Sequence, residues 1–178
     1  MGWRIEEFNM GSYTTWYVSV DSIDGELKKL IDQYIVDICF ADSLFSVHEA
    51  KTKIKEFLKS DNDDRKRGAV AEFLIHVFMK TQGYKQECLY LNLEERSPKK
   101  GFDGIYVDTS ESIWYMESKS GSNKSNTHKA KVKEAYKDLK EKFAGTTSSD
   151  PWRNALNHAK VVGAEANILD LFRRYTRD

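Results

Sequence analysis

The sequence predicts a mixed α/β domain in which helices cover a sheet. Three observations carry this expectation. The runs "ECLYLNLE", "FDGIYV" and "SIWYMESKS", rich in β-branched and aromatic residues, follow one another between residues 87 and 120. Helical periodicities lie on both sides of them, and one further strand-like run stands near the N-terminus.

That first run, "YTTWYVSV" (Tyr13 to Val20), reads as a strand. In "DSIDGELKKLIDQYIVDICF", Leu27, Leu30, Ile31, Tyr34, Ile35 and Ile38 recur at helical spacing, which predicts a helix from Asp24 to Phe40 with one apolar face. A second helix follows, for which Ser46 offers an N-cap and Glu49, three residues on, the second half of a capping box. The acidic link "DNDD" can donate a cap to the third helix, "RKRGAVAEFLIHVFMKTQGY", which is apolar on most sides from Ala69 to Met79 and ends at Gly83. After the three strands come a lysine-heavy helix, "HKAKVKEAYKDLKEKF", the loop "GTTSSDP", and two helical segments, "WRNALNHAKVVG" and "EANILDLFRRYTR". Residues 1–64 therefore read as an N-terminal strand with a helical elaboration and 65–178 as the core, together one continuous globular unit.

A chain of 178 residues is long enough to bury a sizeable core. With 40% hydrophobic and 31% charged residues it reads as globular, and its formal net charge of zero excludes a uniformly basic coat. No stretch reaches the roughly 18 apolar residues of a bilayer span, and "MGWRIEEFNMGS" lacks the basic-then-apolar order of a signal peptide, so a cytoplasmic protein without membrane contact is expected. Cys39 and Cys88 have no cysteine or histidine cluster beside them and read as reduced, buried thiols. No Gly-rich loop ending in Lys-Ser/Thr is present, so neither nucleotide hydrolysis nor a small-molecule cofactor is expected.

The chemistry is concentrated in "KKGFDGIYVDTSESIWYMESKSG". A turn centred on Ser110 pairs Val107 with Ile113 and Ile105 with Tyr115, and sets Asp103 opposite Glu117. Alternation then puts Lys119 on the face of Glu117, with Trp114, Met116 and Ser118 on the other face beside Phe102 and Tyr106. Like charges directly opposed in an antiparallel pair are destabilising. A divalent cation reverses that sign, and Mg²⁺ is commonly held by one or two carboxylates plus water and phosphate oxygens. Lys119 beside them is placed to orient a metal-bound water. The alternative is a structural ion pair in which Lys119 merely neutralises the acids. The tripeptides "ELK" at Glu26 and "EAK" at Glu49 lie in solvated helices and carry no chemistry.

Glu72 is the one acid of an otherwise apolar helix. Either it points into the same pocket and completes the metal site, or it reaches solvent at the domain edge. His76, one turn on, reads as a packed or hydrogen-bonded histidine. From Lys124 to Lys142 the lysines 124, 129, 131, 133, 137, 140 and 142 outnumber the acids Glu134, Asp138 and Glu141. Lys124, Lys129, Lys131 and Lys133, with Lys99 and Lys100 across the hairpin, can follow a phosphate backbone; the alternative is a solvated helix with ion pairs three or four residues apart. The acidic half from Asp21 to Asp64 suits a protein partner better than nucleic acid.

Thirteen residues separate Asp103 of "GFDG" from Glu117 of "ESK". This resembles the Asp, Glu-x-Lys core of the PD-(D/E)xK nuclease superfamily, and "RGAVAEF" resembles the N-terminal helix that contributes an acid in many of its members. The resemblance spans Arg67 to about Phe143. It implies a restriction-endonuclease-like core, a mixed β-sheet flanked by helices, and phosphodiester hydrolysis dependent on Mg²⁺ (or Mn²⁺). Asp103, Glu117 and Glu72 are then metal ligands, with Glu72 the accessory acid, and Lys119 the catalytic lysine. The superfamily's late strand has one candidate, "AKVVGAEANI", which reads equally as helix. More narrowly, a helical N-terminal half followed by "RGxxxE", a hairpin and "ESK" is similar to the nuclease subunit of Hachiman-type bacterial anti-phage systems, which implies DNA as substrate and a helicase as protein partner. The competing functions are a catalytically inactive nucleic-acid- or helicase-binding subunit on the same fold and a purely structural partner-binding protein.

Overall fold

The computed structural model describes residues 3–23, 25–41, 44–59, 62–91, 101–121 and 127–176. Its first element is a strand absent from the sequence-based expectation. β1 (Trp3–Asn9) pairs antiparallel with β2 (Thr14–Val20), with Trp3 opposite Val20 and Asn9 opposite Thr14. The turn closes through Met10 N donating to Tyr13 O (2.9 Å) and Gly11 N donating to Asn9 Oδ1 (2.9 Å), and Gly11 takes a φ of +82° that glycine adopts without penalty. Arg4, Glu6 and Glu7 conceal β1 in the sequence, because most of its side chains face water; Trp3 alone among them packs with Val20 onto the first core cluster.

That cluster belongs to three helices, α1 (Gly25–Phe40), α2 (Val47–Phe57) and α3 (Asp63–Thr81). Leu27, Ile35 and Ile38 of α1 meet Ala50 of α2, Phe73 and Val77 of α3, and Tyr90 and Leu91 from beyond α3. The caps form where the sequence places them. Ser46 Oγ accepts from Glu49 N while Glu49 Oε2 accepts from Ser46 N (2.8 Å), and Asn62 Oδ1 accepts from Arg65 N (3.0 Å). Each such cap is worth about 1 kcal/mol. The expected helix start at Asp24 lies outside the described residues.

The second sheet has the order β3 (Lys85–Gln86), β4 (Gly104–Val107), β5 (Ile113–Met116), antiparallel throughout. Of the expected three-strand meander the second and third strands form; the first, β3, is a two-residue strand that ends just before the run "ECLYLNLE", whose described residues 87–91 are not in a strand. Glu87 N still donates to Ile105 O of β4 (2.8 Å), but past it Leu89 N donates to His158 Nδ1 (3.1 Å) and Tyr90 N to Ile38 O at the end of α1 (2.9 Å). Residues 92–94 of the run lie outside the described residues. Cys88 Sγ accepts from Ile105 N (3.2 Å); Cys88 and Cys39 are buried thiols, as expected, and are not joined in a disulfide.

Beyond the hairpin come α4 (His128–Ala144), capped by Thr127 and stopped by Gly145 at a φ of +68°, then α5 (Pro151–Val161) and α6 (Ala166–Tyr175). The segment 159–168 is thus the end of α5, a turn and the start of α6, and not the late strand of a restriction-endonuclease-like sheet. Among the described residues the architecture is mixed α/β with two small antiparallel sheets rather than one mixed sheet. A second core cluster gathers Phe102, Ile105, Trp152, Leu156, Ile168 and Phe172 between the hairpin, α5 and α6.

Phe102 corrects one detail of the expected hairpin. It lies on the side of Ile105 and Tyr115, with ring centroids 5.1 Å from Tyr115 and 5.0 Å from Trp152, because it precedes the ladder and is free of its alternation. On the opposite face Trp114 is 48% exposed. No described helix is long and apolar enough to cross a membrane.

Candidate functional site

The site is built on the β4–β5 hairpin. The observed register pairs Ile105 with Tyr115 and Val107 with Ile113, as the Ser110-centred turn requires. Asp108 organises that turn, its carboxylate accepting from Ser110 N (2.8 Å), Ser112 N (2.9 Å) and Trp114 Nε1 (2.8 Å). The indole bond above all, with the Ser112 amide next among the donors, holds the Asp108 carboxyl below its ordinary pKa. At the other end, Gly104 faces Met116. A methyl group on Gly104 would meet the Tyr106 ring at 2.8 Å and Met116 Cε at 3.0 Å, so the two strands close only with glycine there. One step further out, past the last ladder pair, stand Asp103 and Glu117.

These two acids do not confront each other bare. Asp103 Oδ2 accepts from Ser118 N (2.7 Å) and Ser118 Oγ (2.8 Å). Glu117, its side chain 4% exposed, takes Lys119 Nζ at 2.6 Å on Oε1 and the ammonium of Lys142, from the last turn of α4, on Oε2. Lys119 also meets Asp138 Oδ2 at 2.7 Å. Burial works to lower the pKa of the Lys119 ammonium, but its hydrogen bonds to Asp138 and Glu117 together outweigh that, and it is held well above the ordinary lysine value. Lys119 is therefore a firm cation in this arrangement.

Glu72 sits in a neighbouring corner. Its Oε1 lies 4.0 Å from His76 Nε2, and His76 Nδ1 is 2.6 Å from the Tyr106 hydroxyl, so His76 is the packed, hydrogen-bonded residue the sequence suggests. Burial above all pushes the Tyr106 phenol far above its ordinary pKa, with the neighbouring Cys88, Glu72 and Asp103 acting in the same direction. Gly68, one turn before Glu72, brings α3 against the strand end: a methyl there would lie 3.1 Å from Ser120 Oγ. Glu72 is partly exposed, at 22%. Among the described residues no three His, Cys, Asp or Glu side chains gather closely enough to hold a metal ion.

The donors therefore suit a hard divalent cation in kind, since two carboxylates stand at adjacent strand ends, but not in the charge state the structure holds. Both oxygens of Glu117 face an ammonium, and a divalent ion placed there would sit against two positive charges. The compensation seen for the paired acids is two lysines and the donors of Ser118.

The structure brings Asp103, Glu117 and Lys119 to one end of the hairpin, as the sequence register implies, and adds Asp138 and Lys142, which sequence reasoning did not assign to it. Their one signal is a spacing of four on α4, which puts a carboxylate and an ammonium on one helix face. Of the lysines expected to follow nucleic acid, Lys99, Lys100 and Lys124 lie outside the described residues. Lys131 is engaged with Glu134 at 2.9 Å, whereas Lys129 and Lys133 are exposed and form no ion pair among the described residues.

The family model described as HamA matches residues 7–177. No curated protein and no solved structure matches the chain.

Proposed function

The chain belongs to the HamA family, and from that premise we propose that it is the nuclease subunit of a Hachiman-type anti-phage defence system, hydrolysing phosphodiester bonds of DNA with Mg²⁺ or Mn²⁺ beside a helicase partner. The observation that carries the reading is the hairpin register, which delivers Asp103 and Glu117 to neighbouring strand ends with the Lys119 ammonium on Glu117. Asp103 and Glu117 are the ligands for the cation, with Glu72 the accessory acid of the adjoining corner. Lys119 keeps its proton, so its role is to set positive charge where a scissile phosphate gathers negative charge. Lys129 and Lys133 receive the flanking phosphates; their exposure and lack of acid partners among the described residues support that use.

A second reading has its own observation. The pairing of both Glu117 oxygens with Lys119 and Lys142 also suits a catalytically inactive subunit that recruits nucleic acid or a helicase. A cleavage assay on DNA with Mg²⁺ or Mn²⁺, with and without the helicase, separates the two. Metal-dependent cleavage lost in Glu117→Gln supports the nuclease, and binding with no cleavage under any of these conditions supports the inactive subunit.

A further inference from the structure

The misfit between Glu117 and a divalent ion has a definite geometry. Asp138 and Lys142 stand one turn apart on α4 and reach the same strand end, Asp138 to Lys119 and Lys142 to Glu117. Each member of the Glu-x-Lys pair is thereby bonded to a group of opposite charge on the helix. Lys142 is also 5.8 Å above the Phe102 ring, whose displaced position under α4 gives the ammonium an apolar, electron-rich floor. The helix itself has a shallow hold: none of its 17 residues is fully buried, and its apolar contacts with the body of the protein come from Leu139 and Phe143. An element without a fully buried residue belongs to the less stable end of a fold, and the ion pairs of Asp138 and Lys142 are what its opening breaks.

We infer that Lys142 is an internal counter-cation that occupies Glu117 in the resting chain, so that α4 must withdraw before Glu117 takes a divalent ion. The inference rests on the proposed metal site and specifies how that site is regulated. In the closed arrangement two ammoniums neutralise one carboxylate and repel an incoming Mg²⁺ or Mn²⁺. In the open arrangement Glu117 joins Asp103 in presenting uncompensated carboxylate oxygen at adjacent strand ends. Asp138 is a positioning residue in the closed state, keeping Lys119 turned toward the helix while Lys142 holds the acid.

The test is Mn²⁺ affinity of the full chain, measured by titration calorimetry in wild type, Lys142→Gln, Lys142→Arg and Lys140→Gln, with thermal melts to establish that each folds. Lys142→Gln is expected to bind Mn²⁺ about tenfold more tightly than wild type. Lys142→Arg keeps the charge and adds a two-pronged donor, and is expected to bind severalfold more weakly. Lys140→Gln, an exposed change on the same helix, is expected to match wild type. Should Lys142→Gln fail to fold, the weakening in Lys142→Arg still decides the matter. Wild type that binds Mn²⁺ with an affinity neither Lys142 variant shifts in these directions overturns the counter-cation and leaves the nuclease reading standing. Absence of Mn²⁺ binding in all four proteins overturns both.

Discussion

Ile105 lies directly across from Tyr115, and this pairing of β4 with β5 carries Asp103 and Glu117 to neighbouring positions just beyond the ladder. The next pair outward is Gly104 with Met116, where a side chain on Gly104 has no room.

Gly104→Ala should therefore destabilise the fold. Its added methyl group meets the fully buried Tyr106 ring and the Met116 side chain, and overpacking of this kind costs about 1–3 kcal/mol. Urea unfolding reads the change directly. An unaltered midpoint would mean that the strand ends separate freely, and the tight delivery of the two acids would lose its basis.

Lys119→Ala should lower the rate of metal-dependent cleavage by about a hundredfold or more, the scale on which removal of one charge-stabilising donor acts. Nucleic-acid binding should change little, because the side chain is turned inward to Glu117 and Asp138. Cleavage at the wild-type rate would remove Lys119 from the reaction.

Asp103→Asn and Asp103→Ala should part company. Asparagine keeps an acceptor for the Ser118 amide and hydroxyl, so its metal-free melting temperature should stay near that of wild type. Alanine strands those donors and should cost about 1–3 kcal/mol. With Mn²⁺ at a hundredfold excess over its dissociation constant, wild type should gain about 2.7 kcal/mol and Asp103→Asn much less. Equal gains in both would take Asp103 out of the metal site.

The lysines of α4 should rank by their freedom. Lys129→Gln with Lys133→Gln should weaken DNA binding and flatten its salt dependence by about 0.9 in slope for each lost phosphate contact on a duplex. Lys131→Gln should do less, since Glu134 already engages that ammonium. Binding isotherms at several salt concentrations check the order, and a larger effect at Lys131 would reverse the assignment.

Acid should loosen the hairpin turn before it unfolds the protein. The Asp108 carboxyl is held below its ordinary pKa by Trp114, Ser112 and Ser110, so the turn is favoured at pH values above the unfolded carboxyl's pKa of about 3.9. That advantage disappears as pH falls through the lower folded value. The Trp114 indole N–H resonance reports it, shifting on acidification below about pH 4 in wild type and lying already at its free position in Asp108→Ala at neutral pH. A resonance indifferent to both changes would leave Asp108 without its organising role.

By itself the sequence determined what depends on neighbours along the chain. The helical spacing of Leu27, Leu30, Ile31, Tyr34, Ile35 and Ile38 gives α1 its apolar face, Ser46 and Asn62 cap the helices they precede, and the length of the Asp-Thr-Ser-Glu turn sets every pairing between β4 and β5. Asp103, Glu117 and Lys119 were legible as one constellation for that reason. Tertiary structure alone decided what meets each face. It gave Glu117 the Lys142 ammonium, 25 residues on, moved Phe102 under that ammonium, and set His76 against the Tyr106 hydroxyl. It also kept the described part of "ECLYLNLE" out of the sheet, drawing the amides of Leu89 and Tyr90 to His158 and Ile38. The physical reason is that periodicity states which side chains share a surface, whereas the partner of a buried charge or backbone donor is whichever group packing brings within about 3 Å, at whatever distance along the chain.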